Sequence, residues 1–141
     1  MKKQNILLGL LGGAALFTAC DFENFDKRCQ RESEEYTLQN CPQRIDPCTV
    51  LDSMKYDIPT RTLKYYYTLE GLLDSANVLT DAVVGDFREE LKKDVVNSLQ
   101  LKKYKEQRIN FNYIYYSKAT GKTSIEIKIS PEEYSPAASE K

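Results

Sequence analysis

Four cysteines, at positions 20, 29, 41 and 48, carry most of the chemical scope of this 141-residue chain, which contains no histidine and no tryptophan. A catalytic thiol needs a neighbouring base, and a serine nucleophile needs a histidine; neither partner is available. Zinc fares no better. Cys29, Cys41 and Cys48 lack the C-x₂₋₄-C knuckle, and no imidazole offers a fourth ligand. Setting Cys20 aside, the three others predict one disulfide and one free thiol, with all three pairings open. Closing such a loop is worth about 2–4 kcal/mol. Glu34-Glu35, Glu89-Glu90 and Glu132-Glu133 are adjacent pairs whose side chains diverge on a helix or strand, so they read as solvated charge. No glycine-rich phosphate loop or nucleophile elbow occurs. The expectation is a non-enzyme with no metal and no cofactor.

Charge narrows the partners. The chain has 20 basic and 21 acidic residues, and losing an N-terminal leader with Lys2 and Lys3 leaves 18 against 21, a net charge of −3. The tyrosine runs Tyr65–Tyr67 and Tyr113–Tyr116 suit base stacking only within a basic surround, so no nucleic-acid partner is expected.

The N-terminus has the form of an export signal. Lys2 and Lys3 precede an apolar run from Ile6 to Phe17, which ends in Thr18-Ala19-Cys20. That run is too short for the ~20 residues of a membrane-spanning helix. Leu16-Phe17-Thr18-Ala19-Cys20 resembles the lipobox of bacterial lipoproteins, with Phe17 where Leu is usual. The resemblance implies cleavage before Cys20, lipidation of its thiol and attachment to the bacterial cell envelope. Outer membrane is favoured over inner, and the periplasmic or surface face is left open. Two or more acyl chains hold a protein on a membrane stably. A plain secretory signal cut near Ala19 is the alternative. Asp52-Ser53-Met54 and Asp74-Ser75-Ala76 also resemble the O-glycosylation sequon of Bacteroidota exported proteins.

Beyond the leader (1–19), residues 20–47 are polar and aperiodic, and predict a tether carrying cysteines. Residues 48–130 predict one α+β domain, and 131–141 a flexible tail. Within the domain, alternation over 50–58, 60–70, 107–116 and 124–129 marks four strands. Leu79, Val83, Phe87, Leu91, Val95 and Leu99 recur every four residues, predicting one long helix over 77–100 with Asp74 or Ser75 as its cap. The order β-β-α-β-β implies a mainly antiparallel four-stranded sheet with that helix packed on one face.

The uncovered face would then present Tyr66, Asn110, Asn112 and Tyr116, rings for stacking beside amides for directional hydrogen bonds. This makes it the candidate binding face for another envelope protein or a glycan, while a solvated sheet face is the plainer reading. An accessory binding lipoprotein is the first expectation. An inhibitor or immunity lipoprotein against a secreted enzyme or toxin is the second.

Overall fold

The computed structural model describes residues 23–135; Cys20 and the leader lie outside the described residues. An α+β layer forms, with five strands rather than four and more than one helix. Its elements are α1 (Phe25–Asn40), β1 (Gln43–Asp46), β2 (Thr49–Asp57), β3 (Thr62–Leu69), α2 (Asp81–Asn97), α3 (Lys102–Glu106), β4 (Asn110–Ser117), β5 (Thr123–Ile129) and α4 (Pro131–Tyr134). The sheet order is β1-β2-β3-β4-β5. Every pair is antiparallel except β3 and β4, which run parallel because α2 and α3 carry the chain back across the sheet.

Four expectations need correcting. The segment 20–47 is not a tether, since it contains α1 and β1. Asn24 caps α1 by accepting from the Lys27 N–H, and Arg31 bridges Glu23 and Glu35 along its outer side. The buried side of α1 is sparse: Cys29 and Ser33 are its buried residues, with Phe25 partly covered against the core. The Ser33 hydroxyl accepts from the Tyr56 N–H at 3.0 Å, and the Thr37 hydroxyl accepts from the Met54 N–H at 2.8 Å. Thr37 Oγ1 also lies 2.9 Å from the Met54 carbonyl oxygen. Two hydroxyls one helical turn apart thus stand in for a neighbouring strand along the Ser53–Asp57 stretch of β2, which lies beyond its pairing with β1 at Thr49–Leu51. An unpaired edge invites association with other chains, and α1 closes it. A hydropathy pattern registers apolar stripes, so it passed over a helix that docks through hydroxyls.

The second correction concerns the long helix, which begins at Asp81. Thr80 caps it through the Val83 N–H. Asp74 instead accepts from the Ala119 N–H at 2.8 Å and from Ser117, pinning the β4–β5 hairpin. In that hairpin Gly121 takes φ +70°, the positive value its turn requires. The helix stops at Asn97, leaving Leu99 almost fully exposed.

The third is the tail. Residues 131–134 form a helical turn in which Ser130 and Glu133 make a reciprocal capping box. Tyr134 is buried and donates to the Ile109 carbonyl at 2.7 Å. The expected disulfide is not formed either, because Cys29, Cys41 and Cys48 are free thiols. Cys29 lies within the core, and Cys48 sits in the β1–β2 turn against Gly71.

Helices cover one sheet face. Tyr56, Leu63, Phe111 and Ile129 form one buried row across β2–β5, and Tyr113 and Ile127 belong to the next. The parallel register of β3 and β4 stacks Tyr65 on Tyr113 (4.9 Å between ring centres) and Tyr67 on Tyr115 (4.6 Å). Cross-strand aromatic pairs of this kind stabilise a sheet beyond their buried area.

Candidate binding face

The opposite face has no helix over it. Register places Thr62 beside Asn110, then Lys64 beside Asn112 and Lys128, then Tyr66 beside Ile114 and Glu126, then Thr68 beside Tyr116. The period-2 alternation of each strand put these residues on one side, and the pairing register brings them into one surface.

That surface has two halves. Towards the α3–β4 end lies a groove of about 470 Å³ lined by Thr60, Lys64, Asn110, Asn112, Glu126, Lys128 and Ser130, among others. Lys64 and Lys128 offer ammonium donors, and Glu126 an acceptor 3.8 Å from the Lys128 ammonium. Glu133 closes one side of the groove and ion-pairs with Arg88. Burial pushes the Glu133 carboxyl up, but Arg88 and the Ser130 N–H outweigh it and hold the group below the usual range.

Asn112 is the unexpected member, being only 6% exposed on a face without a covering layer. Its amide donates to Glu126 at 3.0 Å, while its carbonyl oxygen is fully buried and meets no donor. A buried acceptor without a partner costs about 1–3 kcal/mol. Asn110 is spent locally, its amide donating to the Thr60 carbonyl at 3.1 Å.

The second half is aromatic. Tyr66 and Tyr116 stack on each other at 6.4 Å and 11°. Burial, with Tyr116 alongside, raises the Tyr66 hydroxyl pKa. Each ring therefore spends one face on the other, leaving outer faces and edges for a ligand. Ile114 between them is buried.

The four residues singled out by alternation thus share one face, and Asn112 differs from the others in having a carbonyl oxygen that is buried without a donor. Glu133 escaped sequence reasoning because it was assigned to the tail, and Ser130 because it was the last residue given to the domain. The capping-box spacing Ser130–Glu133 with Pro131 at the first helical position was the available signal. Among the described residues, no three acidic or cysteine side chains converge to hold a metal ion. No helix there is long and apolar enough to cross a membrane.

Residues 24–125 match a family described as a domain of unknown function (DUF8479), and the chain belongs to it. The match starts at the N-cap of α1, which places that helix inside the domain. No curated protein sequence matches. Among solved structures, a Pseudomonas aeruginosa protein described as a "putative secreted protein (PA3611)", determined at 1.60 Å, superposes with a TM-score of 0.66 at 9% identity. The alignment covers 77% of this chain and 91% of that one, and shows a shared fold.

Proposed function

We propose that this DUF8479 member is an exported protein held at the bacterial cell envelope by a lipid on Cys20, where it binds without catalysing. Its ligand is hydroxyl-rich, of glycan type, and lies on the open sheet face. One observation carries this reading: a polar groove lined by Lys64, Asn112, Glu126 and Lys128, in which the Asn112 carbonyl oxygen is buried without a donor. A sugar hydroxyl that displaces the flanking Lys64 or Lys128 side chain supplies that donor and accepts from the displaced ammonium in turn. Tyr66 and Tyr116 extend the surface with ring faces and edges.

Anchoring sets the geometry. Three residues lie between Cys20 and Asn24, so four Cα steps give a reach of at most about 14 Å. Lipidated, the domain stands close against the membrane, with the start of α1 and the β2–β3 turn nearest to it.

Two experiments test this. Cys20→Ala should move the protein from the membrane fraction to the soluble one. Calorimetric titration with soluble peptidoglycan disaccharide–peptide fragments should show saturable binding that Asn112→Leu weakens at least tenfold. The substitution removes a buried orphan acceptor, so the thermal midpoint should not fall. Binding unchanged in Asn112→Leu would overturn the assignment.

A further inference from the structure

The helix-covered face contains a second concavity of different chemistry. It is an apolar cavity of about 310 Å³ between α2 and the β1–β3–β4–β5 portion of the sheet. Leu79, Val84, Phe87 and Leu91 of the α2 region form its roof, and Leu69, Tyr67, Tyr115 and Ile125 form its floor. Of the 17 residues in α2, Val95 is the buried one; Val84, Phe87 and Leu91 are only partly covered. An amphipathic helix normally seats its stripe fully in the core. Here the stripe bridges a space instead.

The floor adds a polar feature. Tyr115 is 4% exposed, with its ring stacked on Tyr67 and met edge-on by Phe87 at 5.3 Å. Neither the Tyr115 nor the Tyr67 hydroxyl meets a hydrogen-bond partner among the described residues. Two tyrosines whose hydroxyls have no acceptor therefore line a mainly apolar cavity, with Thr49 and Asp46 as its other polar members. At the rim stands Asp46, whose carboxylate accepts from the Cys48 N–H.

We infer that this cavity binds the aliphatic chain of a neutral acyl ester, the Tyr67 and Tyr115 hydroxyls donating to its carbonyl. The volume equals that of about ten liquid waters at ~30 Å³ each, room for a chain of roughly ten heavy atoms. That exceeds a leucine or phenylalanine side chain and suits a medium-length acyl chain. Asp46 repels a free carboxylate, which favours the ester over the fatty acid. This site is independent of the one proposed on the open face.

The test is a series of monoacyl glycerols from six to fourteen carbons, added below their micelle thresholds to the chain purified from cells. Binding is followed by NMR of the Leu79, Val84, Leu91 and Ile125 methyl groups. Affinity should rise about fourfold per added CH₂ and level off near ten carbons, when the cavity is full. Tyr115→Phe should weaken decanoyl glycerol about threefold to tenfold. Val84→Trp, which fills the cavity, should abolish binding. Decanoic acid at pH 8 should bind more weakly than the ester. A flat series, one still climbing at fourteen carbons, or shifts scattered over the surface would overturn the inference. So would tighter binding of N-acetyl-leucine amide or N-acetyl-phenylalanine amide, which would reassign the cavity to a protein side chain.

Discussion

Removing the Thr37 hydroxyl by Thr37→Val keeps the side-chain shape and deletes one seal on the β2 edge. The Met54 N–H then loses its acceptor at 2.8 Å, and the Met54 carbonyl loses a neighbouring hydroxyl at 2.9 Å. A buried backbone group left unpaired costs about 1–3 kcal/mol. Met54 is partly exposed, so water recovers some of this and the expected loss is about 1–2 kcal/mol. Ser33→Ala strikes deeper, because Tyr56 is fully buried and its N–H has no route to water. It should cost about 2–3 kcal/mol. The residues sit one turn apart on one helix, so the double variant should fall short of or exceed additivity rather than match it. Urea denaturation gives the stabilities, and hydrogen exchange at the Met54 and Tyr56 amides gives the local opening. Protection at both amides should fall in the double variant, and the reopened edge should promote dimers on gel filtration. Losses below 0.5 kcal/mol with unchanged amide protection would refute the idea that hydroxyls stand in for a strand here.

Three further outcomes follow from other parts of the structure. Tyr134→Phe should lower stability by about 1 kcal/mol in urea melts, because it orphans the buried Ile109 carbonyl. The Asp26 carboxyl is held below its ordinary 3.8, first by the hydrogen bond from Tyr56 and also by Arg61, with burial opposing. A carboxyl lowered on folding adds stability that is fully present above its unfolded pKa and is lost as pH falls through the folded value. Asp26→Asn should therefore flatten the decline in stability below about pH 4, which an acid series of urea melts reads directly. Burial, with Glu32 nearby, pushes the Cys29 thiol up to about 11. At pH 8 about one thiol in a thousand is ionised, so an aromatic disulfide reagent should label Cys41 and Cys48 first and reach Cys29 only on unfolding.

Alternation along the chain was enough to locate β2, β3, β4 and β5 within a few residues, and to assign Tyr66, Asn110, Asn112 and Tyr116 to one side. Two faces of a strand differ in which residues they carry, and that difference is written locally. The apolar repeat from Leu79 to Val95 likewise announced α2. Two things needed the assembled sheet. The first is α1: its contacts are hydroxyl to backbone, made across 17 and 23 residues of chain, so no local pattern encodes them. The second is the state of Asn112, which reads in sequence as an exposed strand amide. Packing of Ile114 and the flanking Lys64, Glu126 and Lys128 side chains decides that it is buried, and that its oxygen is left without a donor. Local composition sets which way a side chain points. What it meets there depends on strands and helices brought together from distant parts of the chain.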